Sequence, residues 1–163
     1  MRKIAYYFIV FSFLACSSSD DTSNEQETDP REAYFLEAII GSWAYDTVKI
    51  NDQVFQYQHT DGCEKDLFQF YNSEGKEFDF EERVVTNCDI CAECALSSTG
   101  LEWELNGDEI SLYFGEVLVL IYKIIDVDSA KFIYQVEVDY DDDGDIDVLE
   151  FTGVPYDPYN EFG

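Results

Sequence analysis

The chain has 163 residues, of which 36 are Asp or Glu and 9 are Lys or Arg, so its formal net charge at pH 7 is -27. A field of this sign repels nucleic acid and anionic lipid headgroups, and it favours divalent cations and basic partners. Nucleic-acid binding is therefore excluded as a function. The rest of the composition, rich in Tyr and Phe, is ample for one hydrophobic core.

The N-terminal segment predicts export. Two basic residues precede a mostly apolar run from Ile4 to Leu14, which is followed by the small residue Ala15 and by Cys16. The run is about half as long as the roughly twenty residues that a membrane-spanning helix needs, and this form is typical of a signal peptide. A plain secretory signal and a buried cysteine are the alternatives to a role for Cys16 as an anchor.

The residues from Phe13 to Cys16 resemble the lipobox of bacterial lipoproteins. The resemblance implies that residues 1–15 are removed, that the Cys16 thiol receives a diacylglyceryl group, and that the new amine is acylated. Ser17 to Asp21 is similar to the Ser/Asp-rich signal of some outer-membrane lipoproteins. We therefore expect a lipid anchor in the outer membrane, with the domain facing the cell surface or the periplasm. Residues 16–30 hold almost no apolar surface and predict a flexible acidic tether, or a plain solvated spacer.

Four further cysteines remain, and after export an even number favours two disulfides. They are Cys63, Cys88, Cys91 and Cys94. The sequence leaves three connectivities open, each of which ties Cys63 to the later cluster. A zinc or iron–sulfur site is an alternative, because C-x-x-C-x-x-C with one distant cysteine is similar to such patterns. A redox-active Cys91–Cys94 pair is a third possibility, although the neighbouring acids oppose thiolate formation.

The remaining elements follow in chain order. An amphipathic pattern predicts a helix from Arg31 to Ile40 that ends at Gly41. Alternating or continuous apolar segments then predict strands at residues 43–50, 54–57, 67–71, 78–85, 101–105, 110–114, 117–125, 132–138 and 148–151. Short turns join them, of which Asn106-Gly107-Asp108 is the strongest hairpin signal. The prediction is an all-β domain over residues 31–163, an up-and-down antiparallel barrel of about eight strands with a short N-terminal helix.

Gly41-Ser42-Trp43, at the entrance to the first predicted strand, is similar to the Gly-x-Trp signature of lipocalins. The layout over roughly residues 38–153 looks like the lipocalin-like domains of bacterial lipoproteins. The resemblance implies that Trp43 plugs one end of the barrel and that a central apolar cavity holds a small hydrophobic molecule. Several bulky side chains are predicted to face inward, which favours a filled or narrow interior. They are Phe70, Phe78, Trp103, Phe114 and Tyr134.

Residues 139–150 fit the calcium-loop pattern D-x-D-x-D-G followed by five residues and Glu. The predicted oxygen ligands are Asp139, Asp141, Asp143, Asp145, Asp147 and Glu150. Gly144 permits the sharp turn, and Asp145 contributes its backbone carbonyl. Because the flanking residues predict strands instead of helices, we expect the loop to join two strands and its calcium to be structural. The alternative is a solvated acidic hairpin tip.

No catalytic motif is present, so we expect a protein that is not an enzyme. The single histidine, His59, lies in a polar stretch and is expected to be exposed to solvent. Two functions remain for a monomeric, membrane-anchored domain. The first is binding of a small hydrophobic ligand inside the barrel. The second is a surface interaction module with a filled core, which contacts a protein partner through its acidic face or through Tyr156 and Tyr159.

Overall fold

The computed structural model describes residues 29–72, 78–86 and 96–158. Within these ranges the chain forms a helix α1 (Pro30–Ala38), followed only by strands. The strands are β1 (Gly41–Ile50), β2 (Gln53–Gln56), β3 (Leu67–Phe70), β4 (Phe80–Val85), β5 (Leu96–Asn106), β6 (Glu109–Phe114), β7 (Val117–Val127), β8 (Phe132–Val138) and β9 (Asp147–Pro155). The described residues include no helix that is long and apolar enough to cross a membrane.

The strands of the described part close into an antiparallel barrel. From β3 to β9 each strand pairs with the next one along the chain, and β1 pairs with β3 on one edge and with β9 on the other. Eight strands therefore close the barrel in up-and-down order, which confirms the predicted architecture. Closure removes the free edges that an open sheet of this size would expose.

Strand β2 is an addition to the barrel wall. It pairs with the second half of β1, from Thr47 to Ile50, while β3 pairs with the first half, from Gly41 to Ala44. Both are antiparallel to β1, so β2 and β3 run in the same direction along one edge of it. Residues 57–66 leave the sheet between them. The predicted strand at residues 54–57 thus corresponds to β2, and β2 and β3 together act as one strand that residues 57–66 interrupt.

Helix α1 begins with a capped first turn. Asp29 is the N-cap, and its carboxylate accepts a hydrogen bond of 2.9 Å from the backbone N–H of Arg31. Pro30 occupies the first turn, where its missing N–H costs no helical hydrogen bond. The helix ends at Ala38, two residues before the predicted end.

Helix α1 closes one end of the barrel. Phe35 and Ile39 are buried, and the indole Nε1–H of Trp43 donates a hydrogen bond of 2.9 Å to the Ile39 carbonyl. The Tyr34 hydroxyl donates to the Val127 carbonyl at 2.8 Å, which ties the outer side of α1 to the end of β7. We call this the helix end, and the opposite end, where β1 finishes and β9 begins, the open end.

Two of the bulky residues predicted to face inward lie outside the core. Phe114 is 64% exposed and Phe78 is 37% exposed. Phe114 is the last residue of β6 and immediately precedes the tight turn to β7. Phe78 precedes β4 and covers the outer side of Gly100, where a Cβ atom would clash with the Phe78 ring. The prediction was wrong for Phe78 because alternation was extended past the start of β4, whereas Phe114 shares a strand face with the buried Leu112 but is mostly exposed at the end of β6.

Candidate functional site

Aromatic rings fill the interior towards the helix end. Phe68 and Phe132 lie with ring centroids 5.7 Å apart, and Phe70 packs against Phe80 at 5.0 Å and against Trp103 at 5.5 Å. A Cβ atom on Gly153 would lie 2.7 Å from the Phe68 ring, so the absence of a side chain there admits that ring. As predicted for Phe70 and Trp103, bulky side chains occupy the space at this level.

A layer of tyrosine hydroxyls and one carboxylate lies above these rings, and we call it the polar layer. It consists of Tyr45, Glu82, Tyr122 and Tyr134. The Tyr134 ring is stacked on that of Tyr122 at 4.2 Å, and its hydroxyl interacts with the hydroxyls of Tyr45 and Tyr122. The Tyr45 hydroxyl donates a hydrogen bond of 2.5 Å to Oε1 of Glu82. The barrel interior therefore contains a connected polar group within an apolar wall.

Burial raises the pKa of all three tyrosines in the polar layer well above the ordinary value. The negative charge of Glu82 raises the pKa of each of them further, because it opposes formation of a second anion. The phenols are therefore neutral at physiological pH and are available as hydrogen-bond donors to the carboxylate.

Glu82 faces the interior because of its position on β4. It lies two residues from Phe80, which is buried, and directly opposite the buried Phe68 on β3 and Thr99 on β5. Side chains two residues apart share a face of a strand. Glu82 is half-buried and Thr99 is exposed. Solvent therefore reaches the interior beside the carboxylate.

The inward positions at the open end are smaller than those at the helix end, and the outermost of them are less buried, although the neighbouring Val136 and Leu149 remain buried. Ile50 and Val138 pack against the core but remain half-buried. Together with Thr99 they form what we call the rim. The barrel is therefore a cup that is closed by α1, filled by aromatic rings to the level of the polar layer, and accessible from the rim.

The acidic loop lies at the same open end and joins β8 to β9, as predicted. Carboxylate oxygens of Asp139, Asp141 and Asp143 lie within 4.8 Å of one another, and all three residues are exposed. The Gly144 N–H donates to Asp139 Oδ2 at 3.1 Å. Gly144 has φ of 95°, a value that favours glycine and permits the predicted turn.

The side chains of the other three predicted residues are not part of this triad. Asp145 is exposed, and its backbone N–H donates to Asp143. Asp147 is the first residue of β9 and accepts a hydrogen bond of 3.3 Å from the Tyr140 N–H. Glu150 lies further along β9, where it accepts a hydrogen bond of 2.9 Å from the Gln135 side chain. The structure thus groups three of the six residues and directs Glu150 towards the neighbouring strand.

His59 is not the exposed loop residue that the sequence predicts. Its Nδ1 accepts a hydrogen bond of 3.0 Å from the Asp66 N–H, so its Nε2 carries the proton and donates to the Tyr45 carbonyl at 2.8 Å. Asp66 is 3% exposed and accepts a hydrogen bond of 2.6 Å from the Val85 N–H. These contacts close the wall where the chain leaves the sheet between β2 and β3. Both nitrogens of the ring are occupied by this structural role.

Several predicted features lie outside the described residues. They are the signal peptide, Cys16 and most of the tether, the turn after Asn72, the cysteines Cys88, Cys91 and Cys94, and Tyr159. Cys63 is within the described part, half-buried, and its backbone N–H donates to the Thr60 carbonyl at 3.1 Å. The pairing of the four cysteines stays a prediction.

Comparisons of the chain with family models, with curated proteins and with solved structures found no match. Evidence on function therefore comes from the barrel itself. Sequence reasoning missed Glu82, because one acid among 36 carries no signal until the register shows that it faces the interior.

Proposed function

We propose that this protein is an exported, lipid-anchored barrel that holds a small hydrophobic ligand at its open end. The observation that supports this function most directly is the contrast between the two ends. Rings fill the barrel below the polar layer, whereas the rim residues Ile50, Thr99 and Val138 are inward-facing and only partly covered. A ligand that covers them removes apolar surface from water at about 25 cal/mol per Å².

The site of attachment agrees with this arrangement. The chain enters the described fold at Asp29, immediately before α1. A barrel anchored through Cys16 is therefore attached at its helix end, and its open end lies at the opposite end of the molecule. We place the protein in the outer membrane on the resemblance of its N-terminal segment to lipoprotein signals. With both ring nitrogens of His59 engaged, a binding role is also better supported than catalysis.

The ligand-binding proposal is tested by filling the rim. The full-length exported chain is purified without reduction and titrated with an apolar fluorescent probe. We expect Val138→Trp to weaken probe binding at least about tenfold, which is about 1.4 kcal/mol. Glu137→Trp is the matched control, because Glu137 is the exposed neighbour on the opposite face of β8. Equal affinity of both variants and the unchanged protein contradicts a site inside the barrel.

We further propose that the acidic loop binds calcium in a structural role. The clustering of Asp139, Asp141 and Asp143 supports this, because three carboxylates within 4.8 Å of one another repel unless a cation neutralises them. With a dissociation constant of about 0.1 to 1 mM, typical of extracellular sites, 10 mM calcium stabilises the fold by about 1.4 to 2.7 kcal/mol.

The calcium proposal is tested by thermal unfolding with 10 mM calcium and with a chelator. We expect calcium to raise the Tm of the unchanged protein and to leave that of Asp141→Asn nearly unchanged. Magnesium at the same concentration controls for general screening of charge. A melting temperature and a protease sensitivity that both ignore calcium would show that the loop is only a solvated acidic tip.

A surface interaction module is the second candidate, and one observation favours it. Apolar side chains are exposed around the turn between β6 and β7, where Phe114 is 64%, Val117 65% and Val119 53% exposed. Exposed apolar groups that cluster in this way mark contact surfaces. Cross-linking on intact cells tests this candidate. We expect it to capture one protein, and we expect the double variant Phe114→Ser and Val117→Ser to abolish that capture while Val138→Trp retains it. This result would make the interaction module the better description.

A further inference from the structure

We propose that the molecule held at the open end carries a positive charge, and that the Glu82 carboxylate is its counter-ion. This inference rests on the proposed function, because it assigns a charge to the ligand of the same site. Four observations on the polar layer and its surroundings support it.

The first observation is that Glu82 lacks a basic partner. Within the described residues, ion pairs join Lys49 to Asp52, Arg83 to Glu81 and Lys131 to Asp126, and none of them includes Glu82. A carboxylate moved partly out of water loses hydration, and a neighbouring cation is the usual compensation. The interior of the described barrel therefore holds a negative charge that a bound cation would balance.

The second observation is that one oxygen of Glu82 remains available. Tyr45 donates to Oε1, and among the described residues no hydrogen bond reaches Oε2. The contrast with Glu81, one residue earlier on the opposite face of β4, is direct. Glu81 accepts hydrogen bonds from Tyr71 at 2.9 Å and from Ser98 at 2.7 Å, and it lies 3.6 Å from Arg83. The outer carboxylate has its partners, whereas the inner one has a phenol and access to solvent.

The third observation is the aromatic wall around the carboxylate. Tyr45 is stacked with Tyr57 at 4.7 Å, and Tyr122 with Tyr134 at 4.2 Å. The faces within each pair cover one another, and Tyr45, Tyr122 and Tyr134 are almost fully buried, so the rings supply an apolar lining beside the carboxylate instead of open faces for a cation. Neutral phenols leave the negative charge on Glu82 unbalanced, since burial raises the pKa of Tyr45, Tyr122 and Tyr134.

The fourth observation concerns which cation fits. Calcium takes six to eight oxygen ligands, and one carboxylate beside the Tyr45 hydroxyl does not supply them. An amphiphile with an amine or quaternary ammonium head matches the site better. Its head reaches Glu82, and its apolar tail covers the half-buried rim. A fatty acid of the same length would place a second carboxylate beside Glu82, so the site discriminates against it.

The test compares three probes that share a ten-carbon chain, each below its micelle concentration, with the full-length protein in 0.15 M salt. They are decyltrimethylammonium, decyl maltoside and decanoate, and binding is followed by calorimetry. We expect the cationic probe to bind at least about tenfold more tightly than the neutral one, and decanoate to bind most weakly. Glu82→Gln should abolish the preference for the cation, whereas Glu82→Asp should retain part of it.

Glu81→Gln is the matched control, because it removes the same charge from the outer face of the same strand. Circular dichroism verifies that each variant is folded. A preference for the cation that survives Glu82→Gln, or that Glu81→Gln removes equally, overturns the role of Glu82. Equal binding of all three probes overturns the charge of the ligand. If none of the probes binds, the proposed ligand-binding function itself is wrong, and the inference fails with it.

Discussion

The two ends of the barrel differ in what their side chains do. At the helix end, Phe68 and Phe132 are fully buried and interlock beneath a capped helix. At the open end, Ile50 and Val138 are only half-buried, and the acidic loop joins β8 to β9 there. Large rings in complete contact supply stability, whereas small and partly exposed side chains leave room for a ligand. Under the proposed function, the helix end supplies stability and the open end supplies the binding site.

Substitution of the buried rings at the helix end should lower the free energy of unfolding more than any other change considered below. Phe68→Ala removes a fully buried ring, so we expect the free energy of unfolding to fall by about 3 to 5 kcal/mol. Val138→Ala at the rim should cost less than about 1.5 kcal/mol, since this side chain is smaller and only half-buried. Urea unfolding measures both. Equal losses would contradict the division of roles between the two ends.

The second prediction concerns alkaline pH and the polar layer. The pKa of Tyr45, Tyr122 and Tyr134 is raised in the folded state, so their contribution to stability is complete below about pH 10, where unfolded tyrosine titrates. As the pH rises beyond that value, this contribution is lost, and the free energy of unfolding falls by about 4 kcal/mol per pH unit for three phenols.

Absorbance of tyrosinate at 295 nm and circular dichroism, followed together, check the alkaline prediction. We expect the buried phenols to ionise only as the fold is lost, and Tyr134→Phe to reduce the slope of stability against pH by about 1.4 kcal/mol per unit. Ionisation of these tyrosines in the intact fold would show that the polar layer is open to water. Solvent would then reach further into the barrel than we describe.

The third prediction tests whether the wall near the open end has structural support of its own. Asp66→Ala leaves the buried Val85 N–H without an acceptor, and we expect a loss of about 1 to 3 kcal/mol. Asp61→Ala, at an exposed position in the same excursion, should change the free energy of unfolding by less than about 0.5 kcal/mol. Chemical denaturation that fails to separate the two variants would contradict the role of the Asp66 and His59 junction.

The smallest effect is expected at the cap of α1. Asp29→Ala removes the side-chain acceptor of the first turn and should cost about 1 kcal/mol. Ligand affinity at the rim should not change, because Asp29 lies at the opposite end of the barrel. A calorimetric titration with decyltrimethylammonium measures this affinity. A large loss of affinity would contradict the independence of the two ends of the barrel.

Local signals in the sequence predicted a large part of the fold. The turn at Asn106 to Asp108 and the alternation on either side of it place β5 and β6, because hairpin turns and two-residue periodicity are local properties. The calcium-loop pattern likewise predicted an acidic loop between two strands. Residues 57–66 were less predictable, because their structure depends on contacts from Asp66 and Thr60 to Val85, which is distant in sequence.

Sequence information alone was enough for the acidic charge and the all-β class, and for the predictions of an export signal and of the Asp139, Asp141 and Asp143 cluster. These follow from composition and from spacing within a few residues. The folded structure was needed to show that Phe114 is exposed, that His59 bridges Asp66 and Tyr45, and that Glu82 faces the interior. The physical reason is that these roles depend on the register between strands, and shifting a strand by one residue exchanges its inward and outward side chains.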